Sequence, residues 1–373
     1  MTALAGLRVL DASTVVMGPY ATRLLADLGA DVLKVEPSEG DVMRRAGQGG
    51  AIFAHLNRGK RSVTLDLKSD AGQTAFRELA RDADVLVHNM RPDAAARLRL
   101  RQADLSALNP RLITVCAYGY GAGGPYSARP AYDDLIQAAS GLADTIGRAS
   151  GDAPRYVPLT LADRVVGAHL AFAITAAITC RERTGTAQEV VVPMFETFAD
   201  LVAGDHLGGL SFDPPEGEAY YGRLMSPQRR PYRTRDGWIA VLLYTDAHWR
   251  RFFALIGQED ALDDPRLASH AARQVAIDHA YGVVAEALTH RGTAEWMEML
   301  SGADIPAAPV NDIVALRDDP HLRATGFWQD VALPDGRTLH TTAAFGRWSK
   351  TPPAPPRPPP AWPAPDAAEW ESD

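Results

Sequence analysis

Asp163 carries the most suggestive chemistry in this 373-residue chain, because it stands in PLTLADRVVG at the mouth of an unusually apolar helical stretch. A carboxylate there has two readings. It can cap the helix, accepting backbone N–H bonds from the first turn. It can also be a nucleophile, desolvated by apolar neighbours and aimed at an electrophile. The pattern favours neither. The other candidates follow β-type runs: the VVMGP turn, DLK with Lys68, HNMRP with Arg91 and the nearby Arg97, and the Gly-rich AYGYGAGGP. Each alone is an ordinary loop, and the two arginines alone read as a solvated helix face. Together they suggest a crevice for an extended anionic ligand, with Met17 and Met90 as soft apolar walls.

Several chemistries drop out. VVMGPYATRLLADLGAD has one glycine where a dinucleotide fold wants three, so a nicotinamide dehydrogenase is disfavoured. The chain has no GxxxxGK[ST], HExxH or GxSxG pattern, which argues against a P-loop, a zincin site and a serine nucleophile elbow. No metal site is expected.

The elements that must position these residues alternate strand and helix. LRVLDAS (7–13), ADVLKVE (30–36), SVTLDLK (62–68), DVLVHNM (84–90) and RLITVCAY (111–118) read as strands with helical patterns between them. That order predicts a mostly parallel, doubly wound sheet with both faces buried. EVVVPM (189–194) adds one more strand, and a Gly- and Pro-rich stretch near 200–228 reads as a linker. A second unit follows, with a strand at 238–244 and three helical patterns. The chain closes on TPPAPPRPPPAWPAP, best described as extended polyproline II.

Composition fits a soluble globular protein: 46% hydrophobic, 23% charged, net charge -8. An acidic chain carries no general polyanion surface, so nucleic acid is not an expected partner. Cys116 and Cys180 lie in apolar stretches and read as buried free thiols, pointing to a reducing cytoplasm. The longest uncharged run, Val165 to Cys180, is shorter than the roughly 20 residues of a membrane span, and no membrane association is expected.

GLRVLDAS…MGPYATRLLADLGADVLKVE, NRGKRSVTLDLKS, ADVLVHNMRP, LNPRLITVCAYGYGAGGPY, YDDLIQAASGL and LADRVVG, taken in order, resemble the class III CoA-transferases of the CaiB/BaiF type. The later segments ERTGTAQEVVVPMFE, RRPYRTRDGWIAV and APVNDIVALRDDPHLRATGFW continue the likeness over nearly the whole chain. The resemblance implies an α/β fold with a Rossmann-like large domain, a small inserted α+β domain, and an interlocked homodimer. Its boundaries here would be 1–200 and 319–373 for the large domain, 201–228 for a linker and 229–318 for the small domain. It implies no permanent cofactor; coenzyme A enters as acyl-CoA substrate, together with a small carboxylic acid. Asp163 falls on the family's nucleophile, which forms an acyl anhydride and then an aspartyl-CoA thioester. The CoA contacts would fall on Val16, Met17, Leu65, Asp66, Leu67, Lys68, Asn89, Met90, Arg91, Arg97, Tyr118, Gly119, Tyr120 and Gly121. Donors for the tetrahedral intermediates are expected from the N–H groups around Gly121, Gly123 and Gly167.

The chain also departs from that pattern. Pro37 replaces a frequent arginine, Val16 a frequent glutamine, YYGRLMSPQRRPY a glycine-rich lid, and WPAPDAAEWESD the usual C-terminal acidic segment. Oxalate and formate are therefore not expected substrates. Two alternatives stand beside the transferase. A 2-methylacyl-CoA racemase of the same superfamily would need a histidine where Tyr132 stands. A non-catalytic CoA-binding protein would have no use for Asp163.

Overall fold

The computed structural model describes residues 1–365 and 369–370, which form two compact units. The larger comprises 1–141, 156–202 and the chain from 321 onward; the smaller comprises 142–155 and 203–320.

The larger unit is built on six parallel strands: β1 (Arg8–Asp11), β2 (Asp31–Glu36), β3 (Arg61–Thr64), β4 (Val85–His88), β5 (Ile113–Tyr118) and β6 (Glu189–Pro193). Their spatial order is β3-β2-β1-β4-β5-β6, every pair parallel. This is the doubly wound arrangement expected from the sequence. The strands are shorter than the apolar runs suggested, and 65–68 and 89–90 are loop residues beyond the strand ends. Leu10, Leu33, Val63 and Leu86 are buried on one face against Phe76, Leu79, Leu100 and Leu105. On the other side the Met17–Asp27 helix packs along the long Leu161–Thr184 helix. A side chain at Gly167 would lie 2.7 Å from the Met17 carbonyl oxygen, so only glycine permits this close crossing.

The Leu161–Thr184 helix is 24 residues, longer than the charge pattern implied, and is long and apolar enough to cross a membrane by length and composition. One of its faces, with Val166, Leu170 and Ile174, is instead buried in the unit. Cys116 is buried as expected, whereas Cys180 lies on the exposed face of this helix. The Gly- and Pro-rich stretch beyond 200 is not structureless, since it carries the end of the Met194–His206 helix and a short Gly222–Met225 helix.

The smaller unit has a three-stranded antiparallel sheet, β7 (Tyr232–Arg233), β8 (Trp238–Val241) and β9 (Ala307–Pro309), covered by helices Asp246–Leu255, Ile277–Leu288 and Thr293–Gly302. Trp249, Phe252, Phe253 and Trp296 form its core, and the Trp296 indole N–H is satisfied by the Leu288 carbonyl at 2.8 Å. It is an α+β unit, as expected.

The chain returns to the larger unit with an antiparallel hairpin, β10 (Trp328–Ala332) and β11 (Thr338–Thr342). The Pro-rich tail then runs past the edge strand β3. The Thr64 N–H donates to Pro365 O at 2.8 Å, the Thr64 hydroxyl to Ala364 O at 3.2 Å, and the Gly59 N–H to Arg357 O at 3.1 Å. Prolines offer acceptors without donors, so such a segment satisfies an open edge without extending the ladder.

Candidate active site

In the order β3-β2-β1-β4-β5-β6 the connections reverse direction between β1 and β4, and the carboxyl ends of two such strands are where open parallel sheets take ligands. The four expected loops all lie along this edge of the sheet. Asn89, after β4, clamps the turn after β1: its Oδ1 accepts from the Thr14 N–H at 3.0 Å and its Nδ2 donates to the Thr14 carbonyl at 2.8 Å. The next residue, Val15, has φ +72, a strained conformation for a β-branched side chain. The Lys34 ammonium holds the turn from below, donating to Ser13 O at 2.8 Å.

Val16 and Met17 are buried, so the turn offers its backbone to a ligand and Met17 is core rather than the expected apolar wall. Leu65 is buried as well, Leu67 and Met90 are half-buried, and Asp66 and Lys68 are exposed. Arg91 and Arg97 are exposed at the two ends of the short Pro92–Arg97 helix, with no acidic partner among the described residues. Tyr118 and Gly119–Gly121 continue from β5. A Cβ on Gly119 would meet that of Ala131 at 2.4 Å, and the Tyr120 ring sits edge-on to Tyr126 at 5.8 Å.

Sequence reasoning missed the polar floor under this edge. Lys60 donates to Asp11 Oδ2 at 2.9 Å, and Lys34 pairs with Asp41 at 2.9 Å, all four side chains fully buried. Burial pulls Lys60 down to about 8 against the opposing pull of Asp11. Burial alone would raise Asp11, but Lys60, Lys34 and two hydroxyls hold it well below the usual carboxylate range. The available signal was a charge at the end of one apolar strand, Asp11 in RVLD, and inside the next, Lys34 in DVLKVE. Nearby, His88 is pushed down to about 4 by burial, and its Nε2 lies 3.3 Å from Cys116 Sγ. Cys116 itself is pushed up to about 12 by burial, so it is no thiolate nucleophile.

Asp163 is the third residue of the Leu161–Thr184 helix, whose cap position, Thr160, makes no side-chain capping bond. Asp133 does the capping instead, from the start of the Asp133–Ala139 helix. Its two oxygens accept the Ala162 N–H at 3.2 and 3.1 Å, and it also accepts from Gln137 Nε2 at 3.2 Å. No hydrogen bond among the described residues ends on the Asp163 carboxylate. Burial, reinforced by the like charge of Asp133, pushes Asp163 up to about 7, with Arg164 opposing. Burial likewise raises Asp133. The pair thus has the form of a capping carboxylate beside an uncommitted one that is ionised near neutrality.

Two expected oxyanion donors are already engaged. The Gly121 N–H donates to Glu196 Oε1 at 2.8 Å. Gly167 lies inside the long helix, where its N–H belongs to the helical ladder. Gly123, at φ +83, lies in the exposed turn. No cluster of potential metal ligands occurs among the described residues.

Known proteins share this architecture along its full length. Residues 4–364 match the model of CoA-transferase family III. The probable fatty acyl-CoA transferase Rv3272 of Mycobacterium tuberculosis is 32% identical over 356 residues, covering 91% of this chain and 89% of the relative. The succinate–glutarate CoA-transferase of Agrobacterium fabrum is 32% identical over 359 residues, 90% and 87% of the two chains. The crystal structure of Rv3272 matches with a TM-score of 0.85 at 29% identity, covering 98% of each chain. A CAIB/BAIF family protein from Brucella suis matches with a TM-score of 0.82 at 27% identity over 96% of each. The chain therefore belongs to family III of the CoA-transferases.

Proposed function

We propose that the protein moves CoA from an acyl-CoA to a free carboxylic acid through covalent intermediates on Asp163. The observation that carries this reading is the uncommitted Asp163 carboxylate, relieved of capping by Asp133 and ionising at about 7. In the first step an Asp163 oxygen attacks the thioester carbonyl, and the C–S bond breaks to give an acyl–aspartyl anhydride and CoA thiolate. The thiolate then attacks the aspartyl carbonyl, releasing the first acid as carboxylate and leaving an aspartyl-CoA thioester. The incoming carboxylate repeats these steps in reverse order and leaves as the new acyl-CoA. Thioester energy is conserved throughout, which direct hydrolysis would discard.

Arg91, Arg97 and Lys68 suit the phosphates of CoA, because they are exposed cations near the carboxyl-end edge of the sheet. The turn at Val16 and Met17, Leu65 and Asp66, Leu67, Asn89 and Met90 would line the ligand's path, with Tyr118 to Gly121 beside the pantetheine. Relatives named for succinate, glutarate and L-malate support aliphatic acids as the acyl partners.

The test is mass spectrometry of the protein after incubation with a panel of acyl-CoAs, followed by peptide mapping. The expected result is an acid-stable mass increment on the peptide holding Asp163, absent in Asp163→Asn. Transfer of labelled CoA by Asp163→Asn at the native rate would overturn the mechanism. Exchange of the substrate α-proton with deuterated solvent, with CoA left on its original acid, would establish the racemase instead.

A further inference from the structure

The smaller unit holds a cavity of about 520 Å3 whose charge is one-sided. Arg223, Arg229 and Arg230 line it, and no aspartate or glutamate does. The Arg223 Nε donates to the Tyr281 hydroxyl at 3.0 Å, which fixes that guanidinium without neutralising it. Arg229 and Arg230 are exposed and have no side-chain partner among the described residues. The contrast within this chain is informative. A larger cavity of about 700 Å3, in the other unit, is also lined by three arginines, but there Arg44 is paired with Glu36 and Arg337 with Asp335, and Arg45 donates to the Glu39 carbonyl. Three uncompensated guanidiniums repel one another, and a chain of net charge -8 has no general reason to collect them.

The rest of the lining is largely apolar, with Tyr232, Leu242, Pro306 and Ala307 among it. A bare phosphate would leave that part unused. A short hydrocarbon bearing more than one carboxylate uses both parts: methylenes lie on the apolar lining, and planar carboxylates pair with the guanidinium forks.

We propose that this pocket is a binding site for an aliphatic dicarboxylate. Its binding to the arginine pocket does not rest on the transferase reading above. The experiment is calorimetric titration of the full-length protein with glutarate, butyrate and inorganic phosphate. It compares the native chain with Arg229→Gln/Arg230→Gln and with Arg229→Lys/Arg230→Lys. Glutarate should bind one per chain, at least fivefold tighter than butyrate or phosphate. The glutamine pair should lose at least tenfold of that affinity with its melting temperature and CoA affinity unchanged, and the lysine pair should recover part of it. Tyr281→Phe, which frees Arg223, should weaken glutarate by two- to fivefold and serves if the glutamine pair does not fold. Equal glutarate affinity in native and glutamine proteins, or no glutarate binding at all, would overturn the site. So would a loss confined to CoA or phosphate, which would assign the arginines to phosphoryl groups. Asp163→Asn separates the two claims: it should abolish transfer yet titrate with glutarate normally, and an active Asp163→Asn leaves the titration to stand alone.

Discussion

Asp133 accepts the backbone N–H of Ala162 with both carboxylate oxygens, and in doing so it frees Asp163, one residue further on, from capping its own helix. One carboxylate is spent on structure and the other is held ready. The like charge of Asp133 also helps raise Asp163 to about 7, so the capping residue tunes the residue it relieves.

Asp133 substitutions should separate these roles. Asp133→Ala removes the cap and should destabilise the protein by about 1 kcal/mol. Asp133→Asn keeps an acceptor for the Ala162 N–H and should cost less. Both remove the like charge, so both should move the acidic limb of the pH–rate profile to lower pH. An unchanged midpoint in both, read from kcat/KM for acyl-CoA, would show that Asp133 does not act on Asp163 through charge.

Native enzyme should show that acidic limb near pH 7. The nucleophile is the carboxylate, and protonation removes it, so kcat/KM should fall tenfold per unit below the midpoint and level off above it. A profile flat from pH 5 to 8 would mean that the group attacking the thioester is not one titrating at about 7.

Arg97→Ala should weaken CoA binding, and the loss should shrink at high salt. Arg97 is exposed at the end of its helix with no acidic partner, so its contact with a phosphate would be screened. Calorimetry at two ionic strengths measures this directly. Equal affinities at low salt would remove Arg97 from the CoA site.

The parallel sheet was legible because its strands are continuous apolar runs separated by helical periods, and every one lies close to its expected position. That the four candidate loops share one edge was legible for the same reason, since loops after parallel strands lie together. Burial state was not legible. Met17 and Val16 follow a strand as ligand-facing residues would, yet the close packing allowed by Gly18 and Gly167 draws them inward. The role of Asp133 was hidden because its partner Ala162 is 29 residues away and the contact is made through a backbone N–H, which no side-chain pattern records. The buried Lys60–Asp11 and Lys34–Asp41 pairs were hidden likewise, because pairing across separate elements depends on register.

A second copy of the chain should cover the outer face of the long helix. Phe172 is 73% exposed there, beside Ala168, Ala176 and Cys180, an apolar stripe unusual on a free surface. Sedimentation should find a homodimer that persists at nanomolar concentration. A stable folded monomer under those conditions would defeat the interlocked arrangement.

Asp163→Asn should leave the protein inactive but more stable above neutral pH. The sign follows from linkage. The carboxyl titrates at 3.8 in an ordinary environment and at about 7 in the fold, so between those values the folded state holds a proton that the unfolded chain has lost. Stability therefore falls as pH rises from about 4 to 7, at up to about 1.4 kcal/mol per unit. Partial exposure of the group screens this, and a net cost of about 1–2 kcal/mol at pH 8 is expected. Asparagine has no such titration. The variant should melt about 1–3 °C above the native protein at pH 8, the gap closing near pH 4.5, while transfer of labelled CoA stays at background at every pH. A structural carboxylate would give the opposite result, with the variant less stable at pH 8 and still active. Melting curves at three pH values, run on the protein samples used for the transfer assay, distinguish a nucleophile held at a cost in stability from a side chain that merely supports its helix.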